Sequence, residues 1–136
     1  MAEVCKVVVS DKLAPEGLAI LEASPGLSLD YQPGLSPEDL AAVVADAHGL
    51  IIRSGTRVTA ELLDAATELK VVGRAGIGVD NVDVAEATRR GVVVMNTPGG
   101  NNVTTAEHTV SLMMALALSP LHISEPTRRY PISHAG

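Results

Sequence analysis

Two arginines and a run of glycines are the residues of this chain best suited to chemistry. The segment Gly73-Arg74-Ala75-Gly76-Ile77-Gly78-Val79-Asp80-Asn81 follows a strand-like run, the place where open α/β sheets bind ligands in a crevice beyond the strand ends. A dinucleotide fingerprint fails on spacing: with G-x-G set on Gly76 and Gly78, the third glycine of G-x-G-x-x-G falls on Asn81. What remains is a loop whose backbone N–H groups, freed of side-chain bulk at Gly76 and Gly78, could close on a small anion, with Arg74 beside it as a charged donor. Arg53, in Ile51-Ile52-Arg53-Ser54-Gly55-Thr56, occupies the same kind of place just past a strand. Two guanidiniums and a glycine loop on one crest of a sheet suit a carboxylate or phosphate. The alternative is a pair of surface arginines in tight turns.

The other polar candidates are weaker. Asn101, after paired glycines, can donate and accept at the same crevice or simply serve as a turn or cap residue. Asp80 is read as fixing the loop by accepting backbone N–H bonds, and Asp83 as starting a helix, rather than as a carboxylate pair. His108 has Glu107 as its neighbour in sequence, and adjacent residues point to different helix faces, so no oriented base results. His48, His122 and His134 show no metal-ligand spacing among themselves or with Cys5. Neither a catalytic residue nor a metal site is expected.

These residues need a scaffold that brings strand ends together. Short β-branched runs alternate with helical patterns as far as about residue 95, the signature of repeated β-α units and a parallel sheet. Expected strands are Val4 to Val9, Leu27 to Tyr31, Leu50 to Ile52, Leu69 to Val72 and Val92 to Met95. Ser36 precedes Pro37 at a helix start, with Glu38 and Asp39 in the first turn and Leu40, Val43, Val44 and Ala47 as the apolar face. Thr59 can cap a helix carrying Glu61, Leu62, Leu63 and Ala66. A further helix from about Val84 ends in Arg89-Arg90-Gly91, with glycine where a left-handed residue is needed. Right-handed crossovers then give a doubly wound α/β fold. Thr104 and Glu107 have capping-box spacing ahead of a helix that is apolar nearly all round, which suggests a crossing between domains or pairing with another subunit.

The bulk properties bound the rest. At 136 residues one compact domain is expected. The core must be aliphatic, because Trp and Phe are absent and Tyr31 and Tyr130 are the only aromatics. A formal charge of -6 argues against nucleic acid, which requires a clustered basic surface. No apolar run approaches the roughly 18 residues of a membrane span. Cys5 is alone, so no disulfide forms; a buried, inert thiol in a reducing compartment is expected, and the absence of a signal-like start makes the cytosol the default. Pro120, Pro126 and Pro131 exclude a continuous helix near the end, where His122, Arg128, Arg129 and His134 lack periodicity.

The segments Val9-Ser10-Asp11-Lys12-Leu13, Ile52-Arg53-Ser54-Gly55-Thr56, Val72 to Asp83 and Met95-Asn96-Thr97-Pro98, with Gly100-Asn101 and Ala106-Glu107-His108-Thr109, closely resemble the start of the D-3-phosphoglycerate dehydrogenases within the D-isomer-specific 2-hydroxyacid dehydrogenases. The resemblance covers residues 3 to about 118. It implies a flavodoxin-like substrate-binding domain over 1–100, a helix over 101–118 that crosses to a Rossmann domain, and an irregular, unrelated tail over 119–136. It further implies NAD-dependent oxidation of 3-phosphoglycerate, or a related 2-hydroxyacid, on the route to serine, by an enzyme that is a homo-oligomer when full length.

On that resemblance, substrate would meet Arg53, Ser54, Gly55, Arg74, Gly76, Ile77 and Asn101, while Ile77 and Thr105 would touch the nicotinamide end of NAD. The family's His, its paired Glu and an Arg belong to or follow the Rossmann domain, so this chain reads as an N-terminal piece that is inactive alone. The alternative is a non-catalytic module that binds anions or dimerises.

Overall fold

A computed structural model of the chain describes residues 4–118. The chain divides after Gly100 into two units. The first holds β1 (Cys5–Val9), α1 (Pro15–Glu22), β2 (Leu27–Tyr31), α2 (Pro37–Val44), β3 (Gly49–Ile52), α3 (Ala60–Ala65), β4 (Val71–Arg74), α4 (Val84–Arg89) and β5 (Val93–Asn96). All five strands are parallel, in the order β2-β1-β3-β4-β5. This is the doubly wound α/β arrangement, with its switch point between β1 and β3, where the winding reverses.

Register sorts the strand residues into two faces. Val8 pairs with Leu50, Leu50 with Val72 and Val72 with Val94, and Val8, Leu50, Ile52 and Val72 are fully buried. Against them pack Leu40, Val44 and Ala47 from α2 and the residues just after it, Leu62, Leu63 and Ala66 around α3, and Ala87 of α4. Helices α2, α3 and α4 lie side by side on this face. Right-handed crossovers put α1 on the other face, where it buries no residue of its own. There Val93 and Met95 are each 58 % exposed. The core is thus nearly one-sided and wholly aliphatic.

The helix starts follow from local chemistry. The Ser36 hydroxyl accepts from Asp39 N–H at 3.2 Å and donates to the Asp39 carboxylate at 2.7 Å. Thr59 Oγ1 accepts from Leu62 N–H and Asp83 Oδ1 from Glu86 N–H, each satisfying a donor that lacks an intrahelical partner. Gly91, at φ 74°, supplies the left-handed residue after α4. Helix α1 was implied by the alternation of strands and helices, but without a start signal or bounds. Ala14 before it offers no side-chain cap, so only Pro15 marks its start. Glu86, buried on α4, is neutralised by Arg89 and by Arg90 Nε at 2.7 Å, and Arg90 also reaches Asp64 at 2.5 Å.

Three expectations are corrected. The fourth strand begins at Val71 rather than Leu69, because Leu69 is still closing the turn after α3 through its N–H to Ala66 O. Cys5 is half-buried rather than buried, since it opens β1 before that strand enters the middle of the sheet. In the second unit α5 runs Asn102–Leu118, so Thr104 lies inside the helix and does not cap it. His108 is exposed on α5. Pro120, Pro126, Pro131, His122, Arg128, Arg129, His134 and Tyr130, and with them the expected irregular tail, lie outside the described residues.

The one-sided core makes a measurable distinction. Leu50→Ala should lower unfolding free energy by about 2–5 kcal/mol in urea denaturation, whereas Val93→Ala on the open face should cost about 0.5 kcal/mol or less. Equal losses would contradict this packing.

Candidate functional site

Parallel pairing brings the two arginines together. Ile52, the last residue of β3, is in register with Arg74, the last of β4, so Arg53 and Arg74 leave neighbouring strands at the same end of the sheet. Neither forms an ion pair among the described residues. The Arg53 side chain is exposed and donates from Nη1 to Lys12 O at 3.1 Å. Two guanidiniums thus leave the same crest of a chain whose formal charge is -6.

The loop after β3 is held from both sides. Asp11, just beyond β1, accepts at Oδ2 from Arg53 N–H at 2.6 Å and from Thr56 N–H at 3.0 Å. From the loop after β4, Asn81 Nδ2 donates to Arg53 O at 2.6 Å and Thr56 O at 2.7 Å. Two side chains therefore satisfy both backbone polar groups of both residues, where no neighbouring strand is available to do so. Position 55 is glycine because a Cβ there would run into the Asp11 carboxylate. Below the loop, Ser10 Oγ and Thr56 Oγ1 share a buried hydrogen bond of 2.8 Å. A bridge between Val58 and Val82 ties the loops after β3 and β4 together.

The glycine loop is arranged differently from the sequence-based expectation. Gly76 N–H donates to Arg74 O at 2.9 Å, so that amide is not free for an anion. The Arg74 guanidinium folds over Gly76 into the space a Cβ would take, so a side chain there would displace the guanidinium from this position. Neither Gly76 nor Gly78 has a positive φ, so close approach explains Gly76, not left-handed geometry. Arg74 Nε is buried with no hydrogen-bond partner among the described residues. Thr97 N–H donates to Gly76 O at 2.9 Å and Asn96 Nδ2 to Ile77 O at 2.6 Å, which pins the loop's carbonyls to the end of β5. The amides of Ile77 and Gly78 point to no protein acceptor among the described residues.

Asp80 accepts no backbone N–H among the described residues; the residue that fixes this loop is Asn81. Asp83 starts α4 as expected. Ser54, Gly55, Gly76 and Ile77 join the arginines at this end of the sheet. Asn101 and Thr105 belong to the second unit, where Thr105 N–H donates to Asn101 O at 2.8 Å. Among the described residues no three of His, Cys, Asp and Glu converge as a metal site would require.

Sequence reasoning missed Asp11 and Asn81. Asp11 carries a signal, since an Asp directly after a strand commonly accepts nearby amides. Asn81 carries none beyond breaking the glycine pattern. Asp11→Ala should cost about 1–3 kcal/mol, because two amides lose a charged acceptor, and should raise hydrogen exchange at the Arg53 and Thr56 amides more than at Val72 when followed by NMR. Uniform exchange at all three would show that the clamp does not hold the loop.

Residues 7–129 match the family model described as D-isomer specific 2-hydroxyacid dehydrogenase, catalytic domain. The chain is 50% identical over 116 residues to D-3-phosphoglycerate dehydrogenase of Rattus norvegicus, covering 85% of this chain and 22% of that protein. It is 44% identical over 112 residues to the protein of the same name from Archaeoglobus fulgidus, covering 82% and 21%. Among solved structures, the NAD+-bound 3-phosphoglycerate dehydrogenase of Entamoeba histolytica superposes with a TM-score of 0.72 at 30% identity, covering 82% of this chain and 38% of that one. The TT0316 protein of Thermus thermophilus does so at 0.76 and 34%, covering 88% and 39%. This chain spans about a fifth of the length of the curated relatives it matches. The chain belongs to the D-isomer specific 2-hydroxyacid dehydrogenase family.

Proposed function

We propose that these residues form the substrate half of an NAD-dependent dehydrogenase that oxidises 3-phosphoglycerate, or a closely related 2-hydroxyacid, for serine biosynthesis in the cytosol. The observation that carries this reading is the pair of guanidiniums, free of ion pairs among the described residues, on neighbouring strand ends beside a loop clamped by Asp11 and Asn81. An anion of this kind requires charged donors already in place, because ordering them on binding would cost affinity. Names of relatives at 50% and 44% identity support the substrate class.

In this reading Arg53 and Arg74 meet the substrate's anionic groups, and the backbone of Ser54, Gly55, Gly76 and Ile77 lines the carboxylate side, joined by Asn101. The buried, unpartnered Arg74 Nε fits a guanidinium short of one acceptor. Ile77, 40% exposed, offers an apolar surface to the nicotinamide, together with Thr105. NAD when bound accepts the hydride from C2 of the substrate. The pyrophosphate would be held elsewhere, since Asn81 replaces the third glycine that backbone approach requires. The substrate hydroxyl must also lose a proton to a base. The family's base, a His paired with a Glu, matches no residue of this sequence on the resemblance, and in this reading the isolated chain binds substrate without turning it over.

A chimera tests this directly. Residues 4–118 replace the matching stretch of the rat enzyme, and NAD reduction with 3-phosphoglycerate is followed alongside the isolated chain. The chimera should turn over and the isolated chain should not. Arg53→Ala in the chimera should lower kcat/KM by on the order of 100-fold, chiefly through KM, as expected for a lost charged contact to substrate. A folded chimera without activity, or an Arg53→Ala variant with unchanged KM, would overturn the assignment.

A further inference from the structure

A cavity of about 630 Å³ opens between the first turns of α2 and α3, one strand over from the arginine crest and at the β1/β3 switch point. It lies on the other side of the 53–56 loop from Arg74 and shares only Gly55 with the residues assigned to substrate. Its walls are apolar: Leu35 of the loop before α2, Leu40 and Ala41 of α2, and Leu62 of α3. Its deep end is polar. Ser10, 2% exposed, and Thr56, 9% exposed, share one hydrogen bond between two hydroxyls, which leaves one hydroxyl proton to donate elsewhere.

The charges around it are unequal. Asp11, Glu38 and Glu61 line the cavity against a single guanidinium, that of Arg57. Two helix N-termini would otherwise favour an anion here. One donor of each, however, is engaged by the Ser36 and Thr59 caps, and their first turns already carry Glu38, Asp39 and Glu61, which oppose an anion by charge. The Thr59 hydroxyl's hydrogen bond holds the Glu61 carboxyl below the usual range, so it is ionised at neutral pH. Asp11 spends Oδ2 on the two loop amides, while Oδ1 has no hydrogen bond among the described residues.

We propose that this cavity is a second binding site, for a small amphipathic amine. Its apolar body lies against Leu35, Leu40, Ala41 and Leu62, and the carboxylates of Asp11, Glu38 and Glu61 around the cavity attract its ammonium. Because one Asp11 carboxylate faces the cavity and also holds Arg53 N–H and Thr56 N–H, occupancy is felt at the neighbouring loop that carries Arg53. Burial of the apolar body supplies affinity, and the carboxylates select the sign of the head group. The binding claim is independent of what occupies the arginine crest.

The test is an NMR titration of the 136-residue chain with 2-phenylethylamine and, separately, 3-phenylpropanoate, which has a similar body and the opposite charge. The amine should give saturable shifts at the Ser10, Leu35 and Leu62 amides, with Arg53 and Thr56 moving in parallel, and the acid should bind more weakly. The double variant Glu38→Gln/Glu61→Gln should weaken amine binding roughly fivefold, the scale of about 1 kcal/mol expected for exposed charges. Ala41→Phe, which fills the cavity, should abolish it. Should Ala41→Phe fail to fold, the two exposed glutamates decide the question. No saturation with the amine, equal binding of the acid, or an unchanged affinity in the double variant overturns the site. Saturation without movement of Arg53 and Thr56 overturns the coupling.

Discussion

The carboxylate of Asp11 and the amide of Asn81 grip the same four-residue loop from opposite sides, and the candidate site depends on that grip. Beyond the end of β3 the backbone has left its strand partners, and its amides and carbonyls need other partners if they are not to rely on solvent. Asp11 takes two N–H groups and Asn81 supplies two donors to carbonyls. The loop is thereby fixed without regular secondary structure, and Arg53 projects from a defined backbone. Charge assistance from Asp11 makes these bonds stronger than neutral ones. Gly55 is a consequence, since the carboxylate occupies the space a side chain would need.

That grip can exist only because the sheet is parallel and aligned. Asp11 follows β1, Arg53 follows β3 and Asn81 lies in the loop after β4, three adjacent strands in the order β1-β3-β4. A shift of one residue in the pairing of β3 with β4 would turn Leu50 and Ile52 from the buried face to the open one. Hydrophobic burial of Val8, Leu50, Ile52 and Val72 beneath α2, α3 and α4 therefore sets the register that places the polar groups. Aliphatic packing in the core and hydrogen-bond geometry at the crest are two ends of the same strands.

The glycines of the second loop have a reason other than the one their spacing suggests. Gly76 gives up its amide to Arg74 O and its Cβ space to the Arg74 guanidinium. The arginine side chain thus occupies the space that a side chain at position 76 would take. The donors this crest offers are its two guanidiniums and the loop amides of Ile77 and Gly78, which have no acceptor among the described residues. This differs from a phosphate cradle of consecutive amides at a helix start.

Five strands, three of the four helices around them and their caps were legible in the sequence, because β-branched runs, Ser36, Thr59, Asp83 and the Arg-Gly ending at Gly91 act over a few residues. So were Arg53 and Arg74, each recognisable as a cation just past a strand. The bounds of α1 were not legible, since it has neither a side-chain cap nor a buried face, and Thr104 misled because the helix is already under way from Asn102. Asp11, Asn81 and the pairing of Arg74 with Gly76 were decided only in three dimensions. Asp11 contacts a loop 42 to 45 residues away in sequence and Asn81 one 25 to 28 away, and no local pattern encodes which side chain will meet an amide across a sheet. Local propensities determined where elements begin and end; the long-range hydrogen bonds were fixed by strand register, which depends on how the whole core packs.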